Sequence, residues 1–206
     1  MIDRKIFDLY DLLSALGVDA WQVQLAMPLG RMERHKERWL IAPKDLVRLE
    51  KQLAELIARN RLAIAVCDNI GYYGRHEPLL RGAFQTTCAL ERKGQDAAVS
   101  FWRGCMAGCR VVAISPDGGI KGCPSHPEEL IADNIRKTPF ARIWRTESNF
   151  EYNTRWDESL LQNGCARCPF RRVCRAGCTS MAFATTGTVY DNPFCLQRVR
   201  IEADNA

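Results

Sequence analysis

Eight of the ten cysteines of this chain fall between residues 105 and 195, at Cys105, Cys109, Cys123, Cys165, Cys168, Cys174, Cys178 and Cys195. The middle of the run is Cys165-Ala-Arg-Cys168, then five residues, then Cys174-Arg-Ala-Gly-Cys178. Four thiolates can hold one metal centre and eight can hold two, so this half of the chain reads as a domain with two metal centres.

Three chemistries compete for such an array. Disulfides suit exported proteins, but the opening Met1-Ile2-Asp3-Arg4-Lys5 leads into an amphipathic stretch and not a secretory signal. That points to the cytoplasm, where thiols stay reduced and bind metal. Zinc is the default for a Cys-x2-Cys pair, yet a zinc site usually repeats that pair, and the other spacings here are x3 and x5. Iron–sulfur clusters accept irregular spacing because their irons present corners in different directions. No other catalytic set competes. His35, His76 and His126 are scattered, with ordinary surface or capping roles expected, and there is no Gly-rich phosphate loop or metalloprotease helix. Cys67 is expected to be a core thiol and Cys88 an inert one.

The elements that must position these thiols divide near residue 100. Within residues 5–16, Ile6, Leu9, Tyr10, Leu13 and Leu16 recur at helical spacing, with Gly17 as a stop. Residues 18–27 (VDAWQVQLAM) form an apolar run of strand length. Pro43 opens a second helix whose apolar face is Leu46, Leu49, Leu53, Leu56 and Ile57, closed by Asn60. Residues 62–67 (LAIAVC) are a second buried strand. Helix, strand, helix, strand predicts parallel strands covered by helices. Beyond residue 100, Val111–Ser115 is a short strand, Pro116-Asp117-Gly118-Gly119 a tight turn, and Thr138–Trp144 a short helix. After Cys165 the pattern predicts loops and single turns, for which metal–ligand bonds would substitute for a core.

Composition narrows the partners. Hydrophobic residues are 47% and charged residues 26% of the 206, as in folded soluble proteins. No apolar run approaches the ~18 residues that cross a bilayer, so no membrane partner is expected. The net charge of +5 is spread along the chain without a basic block, which argues against nucleic acid.

The cysteine pattern, Cys105 to Gly118 to Cys123 and then Cys165-x2-Cys168-x5-Cys174-x3-Cys178 and Cys195, resembles the SPASM extension of radical S-adenosylmethionine enzymes that mature peptides or sulfatases. Cys105-Met-Ala-Gly, Ile114-Ser-Pro-Asp-Gly118, Asn134-Ile135 to Ile143-Trp144, and Asn192-Pro193-Phe194-Cys195 share the resemblance. It implies an irregular, cysteine-rich iron–sulfur domain over residues 101–206, holding two auxiliary [4Fe–4S] clusters with crossed ligands. Carried over by position, Cys105, Cys109, Cys123 and Cys178 hold the first, and Cys165, Cys168, Cys174 and Cys195 hold the second. Residues 1–100 then resemble the last β/α unit of a partial TIM-like barrel plus linker, an α/β fragment. Gln24 would face the S-adenosylmethionine site, and Gly71-Tyr72-Tyr73-Gly74 with Phe101-Trp102 resemble the linker. Positive charge at Arg171, Arg172 and Arg175 would raise a cluster's potential, although a solvated surface role serves them equally well.

One departure matters. Radical generation in that family uses a Cys-x3-Cys-x2-Cys triad, whereas here Cys105-x3-Cys109 is followed by Val112 and Cys174-x3-Cys178 by Met181. The resemblance therefore implies the C-terminal portion of such an enzyme, as a fragment or split-gene product. It would be inactive alone and bind S-adenosylmethionine only when completed by the missing barrel half. Expected partners are a peptide or protein substrate and a radical S-adenosylmethionine partner chain. A free-standing iron–sulfur carrier or binding module, or a structural double-zinc protein, are the alternatives.

Overall fold

The computed structural model describes residues 2–82 and 104–204, so Cys88 and the Phe101-Trp102 motif lie outside the described residues. Their contacts group into two units that interleave along the chain. One contains residues 2–25, 41–82 and 194–204, and the other 26–40 and 104–193. Together they are a mixed α/β structure with small sheets and many helices.

The first unit opens with helix α1 (Ile2–Ala15), which ends at Gly17 in the left-handed region, φ +69°. The buried side of α1 differs from the expected face. Tyr10 is fully buried, while Leu9, Leu12 and Leu16 are exposed. Tyr10 wins because its hydroxyl accepts the Arg61 N–H at 3.0 Å and the Arg61 guanidinium lies 5.1 Å from its ring centroid. Strand β1 (Ala20–Val23) pairs in parallel with β2 (Ala63–Val66), Ala20 opposite Ala63 and Val23 opposite Val66. The expected ten-residue strand is only four residues long. Beyond Val23, the Asn69 side chain takes over, accepting from Leu25 N at 3.1 Å and donating to Leu25 O at 2.7 Å. Helix α2 (Leu46–Arg59) crosses between the strands. It buries Leu46, Leu49, Leu53, Leu56 and Ile57, the face that the periodicity predicts. Asn60 closes it in the left-handed conformation, its N–H bonded to Ile57 O.

In the second unit, β3 (Ala113–Ile114) and β4 (Gly119–Lys121) form the expected hairpin. Gly118 has φ +92°, and a Cβ there would stand 2.7 Å from Asn134 Oδ1, so both conformation and space require glycine. A third antiparallel strand, β5 (Ile131–Asn134), joins β4 through a bulge near Ile120. Its sequence, Ile-Ala-Asp-Asn, gives little strand signal, but the Asn134 side chain anchors it by donating to Asp117 O at 3.0 Å. Helix α3 (Phe140–Arg145) follows and buries Ile143 against Ile120 and Phe150.

The expectation of loops and single turns after Cys165 is corrected by two helices, α4 (Thr179–Thr186) in the second unit and α5 (Leu196–Asp204) in the first. α4 carries no helical stripe: Thr179, Ser180, Met181 and Ala182 are all buried. Two of its hydroxyls are satisfied inside the helix, Thr185 donating to Met181 O and Thr186 to Ala182 O. α5 packs on α2, and its Leu196 and Val199 are buried.

Candidate metal centres

The first cysteine group is built by three short segments. Cys105 and Cys109 lie on a turn in which Cys109 N donates to Met106 O and Gly108 N to Val111 O. Cys123 follows β4 at Gly122. A Cβ on Gly122 would meet Tyr152 Oη at 2.3 Å and Gly108 N at 2.9 Å, so the glycine lets the Cys123 and Cys109 segments close on the tyrosine hydroxyl. The electrostatics agree with that placement. Burial pushes the Tyr152 hydroxyl far up, and the thiolates of Cys105, Cys123 and Cys109 push it further, against the Gly122 N–H. Burial also raises the Cys109 thiol, followed by the charge of Cys105, while Arg175 and then Arg110 draw it down.

Asn153 ties the neighbourhood of Cys178 to this group. Its buried side chain donates to Ala107 O at 2.9 Å, between Cys105 and Cys109, and to Thr179 Oγ1 at 3.4 Å, next to Cys178.

The second group stands on two single helical turns, Asn163–Ala166 and Arg171–Cys174. Cys165 and Cys174 are buried, Cys168 half-buried. Asn192 N donates to Cys165 Sγ at 3.4 Å, and its side chain donates to Ala176 O at 3.3 Å. Three successive residues, Arg175, Ala176 and Gly177, have positive φ of 55°, 62° and 69°. Such conformations cost non-glycine residues on the order of 1–3 kcal/mol each and persist only where the surroundings over-determine them. A Cβ on Gly177 would lie 3.4 Å from Asn192 Nδ2 and 3.9 Å from Cys174 Sγ. The chain thus turns tightly between Cys174 and Cys178.

Cys195 lies in the first unit. Its thiol is pushed up by burial and donates to Tyr72 O at 3.9 Å. Gly71, at φ +90°, is what admits it: a Cβ there would be 2.7 Å from the Cys195 Cα.

None of the nine described cysteines forms a disulfide. Among the described residues, no three Cys, His, Asp or Glu converge closely enough to hold a single metal ion. The donor set nevertheless suits an iron–sulfur cluster: seven thiols in two groups within one unit, one sulfur accepting a backbone N–H, and a glycine turn beside another. Residues 105–169 match the SPASM iron–sulfur cluster-binding domain.

That match spans Cys105 to Cys168. Relatives extend it. The chain is 26% identical to an AdoMet-dependent heme synthase of Methanosarcina barkeri, over 95% of this chain and 53% of the relative. It is 25% identical to one of Nitratidesulfovibrio vulgaris, over 94% and 50%. It is 28% identical to a PqqA peptide cyclase of Rhodopseudomonas palustris, over 84% and 50%. The chain spans about half the length of the curated relatives it matches. The resemblance to radical S-adenosylmethionine proteins carrying SPASM domains is borne out.

Around the SPASM cysteines, the three arginines separate. Arg171 and Arg172 pair with Glu158 at 3.2 and 2.9 Å, whereas the Arg175 guanidinium lies 4.9 Å from the Trp156 ring centroid. Gln24 is exposed just past β1, and the Cys67 thiol donates to its Oε1 at 3.9 Å. Cys67 is half-buried, not a core residue, because the chain turns away from β2 at Asp68. His126 corrects the expectation of a surface or capping role. It is 2% exposed, its Nδ1 lies 3.3 Å from Tyr152 Oη, and burial followed by the Lys121 charge lowers its pKa to about 4. No spacing rule pairs His126 with Tyr152; its position three residues after Cys123 was the sole available signal. No helix among the described residues is long and apolar enough to cross a membrane.

Proposed function

We propose that this chain is the auxiliary-cluster region of a cytoplasmic radical S-adenosylmethionine oxidoreductase, relaying single electrons and shaping the substrate site. The observation that carries this reading is the match of residues 105–169, with five of the cysteines, to an iron–sulfur cluster-binding domain, within which Gly122 brings the Cys109 and Cys123 segments against the Tyr152 hydroxyl. Cys105, Cys109, Cys123 and Cys178 hold one [4Fe–4S] cluster, and the bridge from Ala107 through Asn153 to Thr179 supports Cys178 as the fourth ligand. Cys165, Cys168, Cys174 and Cys195 hold the other, Cys195 being assigned on the family resemblance alone. When bound, such clusters accept and release one electron each at potentials set by charge and hydrogen bonds at their sulfurs. The residues of this chain hold the thiolates in place, keep Cys165 and Cys174 from water, and supply the Asn192 N–H to Cys165.

The first unit, with its parallel β1–β2 pair and covering helices, is the last β/α unit of a radical S-adenosylmethionine barrel. Gln24 at the end of β1 faces the cofactor when a barrel half carrying the cysteine triad completes it. The substrate is a ribosomally made peptide or protein, a reading supported by the peptide cyclase relative. Two relatives over 94–95% of the chain are named heme synthases, which favours a tetrapyrrole as the second reading.

Coulometric titration of the anaerobically reconstituted chain tests the relay. Uptake of about two electrons per chain, with two distinguishable paramagnetic signals, is expected. A loaded chain that takes up no electrons would contradict it.

A further inference from the structure

Arg175 leaves the backbone between Cys174 and Cys178 in the left-handed conformation, φ 55° and ψ 47°. A Cβ on Gly104 would lie 2.8 Å from Arg175 Cδ and 3.3 Å from Cγ, so the arginine stem packs on the residue preceding Cys105. Its guanidinium stacks on Trp156, and Trp156 packs on Leu161, Cys165 and Ala176, the core of the second group. The Trp156–Arg175 pair thus touches both cysteine groups. Arg171 and Arg172 differ, since both pair with Glu158, whose single charge offsets one of their two; among the described residues Arg175 pairs with no carboxylate.

We propose that Arg175, held by Trp156, is a positioning residue that sets the potential of the first cluster above that of the second. The proposal rests on the two-cluster reading above. A cation near a cluster favours its reduced, more negative form. The cation–π contact favours the rotamer that stacks the guanidinium on Trp156. Because Arg175 is exposed, salt screens the effect.

The test is the midpoint potential of each cluster in the reconstituted full chain, followed by paramagnetic resonance, with Cys123→Ser assigning the first signal. In Arg175→Gln the first cluster is expected to become roughly tenfold harder to reduce, about 59 mV for one electron, at unchanged iron content. The second should move by less than half as much. Arg175→Lys keeps the charge and should recover most of the shift, Trp156→Phe should fall between, and high salt should shrink all differences. Unchanged potentials in Arg175→Gln, equal movement of both clusters, or loss of the first cluster's iron would each overturn the proposal. A wild-type chain that lacks two signals would overturn the two-cluster reading itself, before any variant is made.

Discussion

His126 is neutral at physiological pH because burial lowers its pKa from 6.5 to about 4, with Lys121 adding to the effect. The folded-state value is depressed, so the unfolded chain binds the proton first as pH falls. Stability is therefore complete above the unfolded value of 6.5 and is lost as pH drops toward 4. Between about pH 7.5 and about pH 5.5 the chain should lose about 1 kcal/mol of unfolding free energy through this group. Urea unfolding at the two pH values checks this, with His126→Gln expected to show no such loss; an equal loss in both chains would contradict it. The cysteines make a second prediction at this scale. Cys178→Ala should lose about four irons per chain, while Cys67→Ala, whose thiol donates to Gln24 Oε1 in the first unit, should lose none. Equal losses would overturn the ligand assignment. The resemblance to the iron–sulfur domain was legible in the sequence because cysteine spacing is itself the signal. Tyr152, Asn153 and His126 were not, since their roles depend on folding Gly122 and Ala107 against residue 152, and no local pattern encodes that approach.

At the scale of elements, legibility followed periodicity. The α2 face from Leu46 to Ile57 was readable because one stripe meets one core. Helix α4 was not, because four successive residues of its first half, Thr179 to Ala182, are all buried and so give no periodic stripe, while Thr185 and Thr186 turn their hydroxyls onto the helix backbone. β5 was missed for a related reason: Asn134 acts through a side-chain bond to the Gly118 turn and not through strand propensity. The tightest local constraint is Gly122, between β4 and Cys123. Gly122→Ala places a methyl 2.3 Å from Tyr152 Oη and 2.9 Å from Gly108 N. Overpacking of this kind costs typically 1–3 kcal/mol. Chemical denaturation should show that loss, together with reduced iron occupancy of the first site. Tyr152→Phe in the same background should relieve part of it, and failure to do so would contradict the packing argument.

Across the whole molecule, the two units draw stability from different sources. The first buries Leu46, Leu53, Leu56, Ile70 and Leu80, an apolar core that contains no cysteine. The second has smaller apolar clusters, one of them completed by Cys165, and holds consecutive non-glycine residues in the left-handed region. Metal binding is then folding energy for the second unit. Removing iron with a chelator should strip hydrogen-exchange protection from β4 and α4 while α2 keeps its protection; uniform loss would contradict this division. The central claim is that these cysteines hold two iron–sulfur clusters, and elemental analysis of the anaerobically reconstituted chain tests it most directly. About eight irons and eight acid-labile sulfides per chain are predicted. About two tightly bound zinc ions with no labile sulfide would contradict it.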